Sequence, residues 1–201
     1  KPLFCDLYGN PSSMHTFGGQ IGRKIGRARE QTATLLGCEP SEIVFTGCGT
    51  ESDNAAINGT LAAVPNKRKV ITSRVEHPAV LTVCRELENR GYTVVEIGVD
   101  GQGRIDLDEL EREIDDDTAL VTIMYANNET GTIFPVEKIA EMVHSKGSVF
   151  HTDAVQIVGK IPLNLKDSAI NLLSLSGHKL HAPKGVGILY IRKGTRLSPY
   201  M

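Results

Sequence analysis

The sequence predicts an α/β protein of three layers, in which a mainly parallel sheet is covered by helices on both faces. Short apolar runs rich in Val and Ile alternate along the chain with amphipathic segments of helical period. Glycine and proline stand at several of the boundaries between them. This alternation is typical of βαβ units, and ligands of such sheets bind at the carboxyl ends of the strands.

Each predicted strand is an uninterrupted apolar run of strand length. The runs cover residues 42–46, 69–73, 92–99, 119–126, 148–152, 171–176 and 186–192. Strands that are buried on both faces carry apolar residues continuously, whereas strands with one wet face alternate. We therefore expect these runs to form the interior of a parallel sheet.

Helices are predicted between the strands, at 15–37, 51–64, 77–91, 106–114 and 135–147. Gly37 is a C-cap for the first helix, Pro78 lies near the start of the third and Gly91 ends it. The helix at 51–64 follows a glycine-rich turn. In the plainest interpretation of that turn, Thr50 is the N-cap.

Composition excludes several classes of function. The 201 residues suffice for a sizeable core, with 40% apolar and 23% charged residues. A net charge of −2 gives no basic footprint for nucleic acid and no polybasic membrane patch. No apolar run reaches the ~18 residues of a transmembrane helix. The cysteines Cys5, Cys38, Cys48 and Cys84 stand far apart, which argues against a zinc knuckle or a disulfide framework and predicts a reducing, cytoplasmic setting.

The segment FTGCGTES at 45–52 predicts an anion cradle. Backbone N–H groups at a helix start, reached through glycines such as Gly49, bind phosphate, and the Thr50 hydroxyl adds a donor. Neither the P-loop spacing nor G-x-G-x-x-G is present. On its own, an ordinary strand-to-helix turn explains the segment equally well.

Further polar residues follow other strands. His77 in VEHPAV offers a flat ring to a planar ligand, and Asn128 in MYANNETG offers an amide. In FHTDAVQ, the Asp153 carboxylate can hold a proton on a heterocyclic nitrogen, and Gln156, three residues on, can reach a neighbouring ring oxygen. A capping or core histidine, a tight asparagine turn and an aspartate N-cap are the structural alternatives.

The segment LSLSGHKLHAPKG at 173–185 puts a lysine where a buried strand ends. Ser176 and His178 extend the anion cradle, and an amine kept in an apolar pocket, here that of Lys179, becomes a nucleophile. A solvated surface lysine is the alternative. A metal site at His178 and His181 lacks a third ligand at a sensible spacing.

Together these residues predict one cofactor, pyridoxal 5′-phosphate. An anion cradle, a stacking ring, an aspartate for a pyridine nitrogen and a lysine for a Schiff base follow successive strands in that order. The chemistry of this cofactor requires a phosphate clamp, a partner for the ring nitrogen and a lysine. Each feature alone has an ordinary structural explanation, but the ordered set does not.

The chain resembles the NifS-like cysteine desulfurases, which are class-V aminotransferase relatives among the fold-type-I (aspartate-aminotransferase-like) pyridoxal-phosphate enzymes. The resemblance extends over essentially all 201 residues. It is carried by the segments 9–15, 42–57, 75–80, 126–136, 150–163 and 173–190.

The resemblance implies a role for each candidate residue. Lys179 forms the Schiff base, His77 stacks on the ring and handles protons, and Asp153 pairs with the ring nitrogen. Gln156 is implied at the ring hydroxyl, and Asn128 beside the substrate carboxylate. The implied phosphate-binding residues are Gly49, Thr50, Ser176 and His178.

The resemblance also implies that L-cysteine is converted to L-alanine by a homodimer, with the sulfur passed as a persulfide to an iron–sulfur scaffold or another acceptor. We expect residues 1–201 to be an incomplete cofactor-binding large domain. The family's N-terminal strand and its small C-terminal domain, which carries the persulfide cysteine and the substrate arginine, are expected to be absent, so that the chain is inactive alone. The alternatives are a selenocysteine lyase or other lyase of this fold type, a non-catalytic module, and a nucleotide-binding α/β protein.

Overall fold

Seven strands form one sheet in the computed structural model, which describes residues 2–199. They are β1 (Ile43–Thr46), β2 (Lys69–Ser73), β3 (Thr93–Ile97), β4 (Thr118–Thr122), β5 (Val149–Asp153), β6 (Leu172–Ser176) and β7 (Gly187–Ile191). Their order across the sheet is β1-β7-β6-β5-β4-β2-β3. β7 is antiparallel to both of its neighbours and the other pairs are parallel, which confirms the predicted mainly parallel sheet.

The α-helices of the described residues are α1 (Pro2–Cys5), α2 (Thr16–Leu36), α3 (Gly49–Ala63), α4 (Pro78–Asn89), α5 (Leu107–Glu113) and α6 (Val136–Ser145). Short 3₁₀ helices lie at Pro40–Glu42, Leu165–Asp167 and Gly177–Leu180. Every predicted helix is present, and α1 is an additional short helix in a segment for which the sequence predicts none. Within residues 2–199, no helix combines the length and the apolar character needed to cross a membrane.

Helices cover both faces of the sheet because successive strand residues point to opposite sides. On one face, Ile71 of β2 joins a buried core with side chains of α2, α5 and α6. On the other face, the adjacent Val70 joins a core with side chains of α3 and α4. The three-layer prediction is therefore confirmed, and the continuous apolar runs reflect burial on both sides.

The boundary residues act as the sequence predicts at α2 and α4. Gly37 ends α2 in the left-handed region, at φ 65°, and its N–H donates to carbonyls of Ala33 and Thr34. Pro78 is the first residue of α4, and Gly91 follows that helix at φ 80°. In β4, however, the strand ends at Thr122, whereas the apolar run continues to residue 126. Ile123 and Met124 are buried in the connection after the strand, so apolar character there marks burial and not strand.

The start of α3 differs from the prediction. The helix begins at Gly49, and its N-cap is Cys48, whose Sγ accepts a hydrogen bond from the Glu51 N–H at 3.4 Å. Thr50 therefore lies inside the first turn and is not the cap. The turn is short because Gly187 of β7 packs directly against the Cys48 backbone, where any side chain would collide. This contact fixes the N-terminus of α3 at the edge where β5 and β6 end.

Candidate active site

One cavity, of about 350 Å³, lies at the carboxyl ends of β2, β4, β5 and β6, beside the N-terminus of α3. Its volume is in the range of small-molecule sites. All nine predicted site residues line it: Gly49, Thr50, His77, Asn128, Asp153, Gln156, Ser176, His178 and Lys179. The sequence did not predict the other lining residues, which are Cys48, Asp53, Met124, Ala126 and Val155.

The anion cradle is built from the first turn of α3. A Cβ on the buried Gly49 would lie 3.1 Å from Val155 Cγ2 and 3.2 Å from Ser176 Cβ, so glycine allows the helix end to approach β5 and β6 closely. Ser176 Oγ is 2.8 Å from His178 Nδ1, which holds the imidazole beside the helix end. Unpaired N–H groups of the first turn, a hydroxyl and an imidazole suit a phosphate group.

His77 is both the N-cap of α4 and a wall of the cavity. Its Nδ1 accepts a hydrogen bond from the Ala79 N–H at 3.1 Å. Because Nδ1 is an acceptor, the neutral ring carries its proton on Nε2. The two interpretations of this histidine, a cap and a ligand-stacking ring, are therefore compatible in one residue.

Asp153 is buried at the end of β5, with 7% of its surface exposed. Its Oδ1 accepts a hydrogen bond from the Val155 N–H at 2.9 Å, within a turn, and no helix follows, so the capping alternative is wrong. Burial raises the pKa of Asp153, while the Val155 hydrogen bond and the nearby His77 lower it. Gln156 lies half-buried three residues further on.

Lys179 lies at the mouth of the cavity, not enclosed in an apolar pocket. The 3₁₀ helix Gly177–Leu180 follows β6 at once and leaves both His178 and Lys179 exposed. His181 ends this helix at φ 61°, a left-handed conformation that is unusual for a residue other than glycine. The compact turn therefore presents the lysine amine at the edge of the site. Among residues 2–199, no group of three His, Cys, Asp or Glu side chains could hold a metal ion.

The asparagines after β4 have different positions. Asn127 shapes the loop, because its Oδ1 accepts from the N–H groups of Glu129 and Thr130, both at 2.9 Å. Its Nδ2 donates to the Val75 carbonyl at 3.1 Å, which ties this loop to the connection after β2. Asn128 is exposed and lines the cavity. The tight-turn alternative thus describes Asn127, and the amide that faces the site is that of Asn128.

A row of buried polar residues that the sequence pattern did not predict lies behind the cavity. His151 is fully buried, with Nδ1 2.8 Å from Thr122 Oγ1 and Nε2 2.9 Å from Ser174 Oγ. Its Nε2 is also 3.6 Å from Oδ1 of Asp53 on α3. The available signal was the strand period of two, because it places His151 on the same face as Asp153.

Burial controls the charge of two further groups near the site. It lowers the pKa of His151 to about 3, so the ring is neutral at physiological pH. Burial also raises the pKa of Glu76 to about 8, against hydrogen bonds that favour ionisation. Glu76 Oε1 accepts from Ser73 Oγ at 2.6 Å and from the Met124 N–H at 2.8 Å. This carboxyl group links the connection that carries His77 to the end of β4.

Comparison with known families agrees with this architecture. Residues 1–201 match the family model described as aminotransferase class-V. The chain belongs to the class-V aminotransferase family. Its fold is that of the family's NifS-like members, whose mostly parallel seven-stranded sheet it shares.

Three proteins that the chain matches illustrate the similarity. A cysteine desulfurase of Trichormus azollae is 62% identical over 200 residues, which are 100% of this chain and 50% of that protein. The structure of a NifS-like protein is 44% identical with a TM-score of 0.95, covering 100% of this chain and 56% of that one. The structure of SspA in complex with cysteine is 40% identical with a TM-score of 0.95, covering 100% and 59%. The chain thus spans about half the length of the curated relatives it matches.

Proposed function

We propose that the chain provides the pyridoxal-phosphate site of a cysteine desulfurase. The observation that carries this proposal is the convergence of Lys179, Asp153 and His77 on one cavity beside the N-terminus of α3. The similarity to cysteine desulfurases along the whole chain supports the choice of reaction. The substrate proposed is L-cysteine, the products are L-alanine and a persulfide sulfur, and the structure of SspA in complex with cysteine is consistent with that substrate.

The residues present fit this cofactor. The close approach that Gly49 permits leaves room for phosphate oxygens at the helix end, where Thr50, Ser176 and His178 add donors. Asp153 is a buried carboxyl group suited to a protonated ring nitrogen, and Gln156 lies three residues beyond it. When bound, the cofactor supplies an electron sink for the substrate's α-carbon.

The chain's own residues would bind, orient and move protons. Lys179 is the proposed point of covalent attachment. Once the substrate has displaced it, its amine at the mouth of the cavity would be free to accept the α-proton of the substrate. His77 would lie against the cofactor ring and exchange a proton through Nε2, since Nδ1 is engaged by the Ala79 N–H. Asn128 would donate its amide to the substrate carboxylate.

We also propose that residues 1–201 form the cofactor-binding large domain of a longer, homodimeric, cytoplasmic protein. The share of the relatives' length that the chain spans supports the first part. The cysteines, all free in the structure, are consistent with a reducing compartment. An iron–sulfur scaffold or another thiol acceptor would receive the sulfur.

Borohydride trapping tests the cofactor site. Pyridoxal phosphate is added to the purified chain, the mixture is reduced, and the peptides are analysed by mass spectrometry. We expect a pyridoxyl group on Lys179 that is absent from Lys179→Ala. The exposed Lys184, five residues away, provides the matched control, and Lys184→Ala should leave the labelling unchanged. Equal labelling of several surface lysines would contradict the proposal.

A further inference from the structure

A second carboxyl group, that of Asp53, lies in the cavity with Asp153. Asp53 is on the buried side of α3, about one turn from Gly49, and only 1% of its surface is exposed. Its Oδ1 has no hydrogen-bond partner among the described residues, and the nearest cationic candidate is the His151 ring at 3.6 Å. A buried carboxylate without a compensating partner is strongly unfavourable.

Asp53 stands at one end of a chain of polar groups. The strand period of two places Thr122, His151 and Ser174 on the same face of β4, β5 and β6, under α3. Thr122 Oγ1 is 2.8 Å from His151 Nδ1, and Ser174 Oγ is 2.9 Å from Nε2. The Ser174 side chain also lies beside the Asp53 carboxyl and favours its ionised form, and Asp53 Oδ1 is 3.6 Å from His151 Nε2.

Which group donates and which accepts in this row of polar side chains depends on whether Asp53 carries a proton. A protonated Asp53 donates to Ser174, Ser174 donates to His151 Nε2, and the ring carries its proton on Nδ1 and donates to Thr122. With an ionised Asp53 every donor is reversed, and the ring proton is on Nε2. Because burial keeps His151 neutral, its tautomer reports the state of Asp53.

Burial raises the pKa of both carboxyl groups, but Asp153 has more neighbours that favour its ionised form than Asp53 has. Burial and the neighbouring Asp153 raise the pKa of Asp53 well above its ordinary value. Asp153 has the Val155 N–H at 2.9 Å and the nearby His77, both of which favour its ionised form. Two adjacent buried carboxyl groups do not both ionise readily. The titratable groups around Asp53 include His151 and Asp153 on β5, Glu76 and His77 after β2, His178 and Lys179 after β6, and Cys48 at the N-terminus of α3.

We propose that Asp53 is a positioning residue of the cofactor site. It forms the neutral, proton-holding end of the chain Asp53–Ser174–His151–Thr122 and thereby leaves Asp153 as the charged partner for a cationic ring nitrogen. The identity of that ring rests on the proposed function. The protonated state of Asp53 does not, because it concerns the protein without cofactor.

The first test uses the chain without cofactor at neutral pH. In the ¹⁵N nuclear magnetic resonance spectrum of the chain labelled at histidine, we expect the His151 signals to show the Nδ1–H tautomer. These signals are assigned by their absence from the spectrum of His151→Asn. Asp53→Asn keeps a neutral donor in place and should preserve that tautomer. Asp53→Ala removes the side-chain donor beside Ser174 and should allow both tautomers. In the infrared spectrum, Asp53→Asn should remove one protonated-carboxyl band.

Glu76→Gln is the matched control, because Glu76 is also a buried acid near the site. It should remove its own carboxyl band and leave the His151 tautomer unchanged. An Nε2–H tautomer in the unmodified chain, or an unchanged infrared spectrum in Asp53→Asn, would overturn the proposal. Native far-ultraviolet circular dichroism establishes that each variant is folded.

The second test adds pyridoxal phosphate and follows the pH dependence of its absorption band. We expect the midpoint in Asp53→Asn to shift by less than about half a pH unit, since one neutral group replaces another. Asp153→Asn, which removes the proposed charge, should lower the midpoint by more than about one unit. A shift in Asp53→Asn as large as that in Asp153→Asn would show that Asp53 is ionised and reject the proposal. If the unmodified chain binds no cofactor, the proposed function fails, but the tautomer measurement still decides the state of Asp53.

Discussion

Single residues in this chain serve both the fold and the site. His77 caps α4 through Nδ1 and presents the rest of its ring to the cavity. Sequence reasoning treated these as alternatives because a lone histidine gives the same signal for each. They coincide here because α4 begins where β2 ends, so the cap of the helix necessarily lies at the edge of the sheet that binds ligands.

Substitution can separate the two roles of His77. His77→Ser replaces the capping acceptor but removes the ring, so we expect the free energy of unfolding to change by less than about 0.5 kcal/mol. His77→Ala removes both and should lower it by about 1 kcal/mol. Both variants should weaken pyridoxal phosphate binding, measured by titration of its absorption, roughly tenfold, in line with about 1.4 kcal/mol of lost contact. Equal binding by His77→Ser and the unmodified chain would show that the His77 ring does not contact the cofactor.

At the scale of elements, the N-terminus of α3 determines the geometry of the site. The sequence predicted the helix but placed its start at Glu51, because the glycine-rich segment reads as a turn. Two long-range contacts change this, namely Gly187 against Cys48 and Gly49 against Val155 and Ser176. Both depend on β5, β6 and β7 lying next to the turn, which local sequence does not reveal.

The substitution Gly49→Ala tests this packing. The added methyl group must displace Val155 or Ser176, so we expect a loss of about 1–3 kcal/mol in the free energy of unfolding. Because a displaced helix end carries the N–H groups of the anion cradle away from Ser176 and His178, binding of inorganic phosphate or pyridoxal phosphate should weaken by about tenfold or more. Gly26→Ala in α2 is the control, since a Cβ there meets nothing within 4 Å. It should raise stability by about 0.5–1 kcal/mol and leave binding unchanged.

At the scale of the whole molecule, two buried groups give opposite pH dependences of stability. The pKa of His151 falls from 6.5 to about 3 on folding, so the unfolded chain binds the extra proton and stability decreases as the pH falls from 6.5 towards 3. The pKa of Glu76 rises from 4.5 to about 8, so the folded chain keeps the extra proton and stability decreases as the pH rises from 4.5 towards 8. The effects of His151 and Glu76 on stability oppose each other where the two ranges overlap, between about pH 4.5 and 6.5.

The raised pKa of Asp53 adds to the loss of stability with rising pH. We therefore expect stability to decrease as the pH rises from about 6.5 to 8, where His151 no longer opposes this loss, measured as the urea midpoint over a pH series. His151 and Glu76 each contribute on the order of 3–5 kcal/mol across their ranges. Glu76→Gln should reduce the loss of stability on the alkaline side, where the contribution of Asp53 remains, and leave stability below pH 4.5 unchanged. A midpoint that rises between pH 6.5 and 8 in the unmodified chain would show that Glu76 does not hold its proton in the folded state.

The sequence by itself predicted the mainly parallel sheet, helices α2 to α6 and nine of the residues that line the cavity. Continuous apolar runs mark buried strands, and polar residues that interrupt them at strand ends must share one edge of a parallel sheet. Tertiary structure decided the remaining features: the start of α3 at Gly49, the exposed position of Lys179 on a 3₁₀ turn, and the contact of Asp53 with His151. These depend on packing between segments that are distant in the chain. The period and composition of one segment do not encode which side chains another segment brings against it.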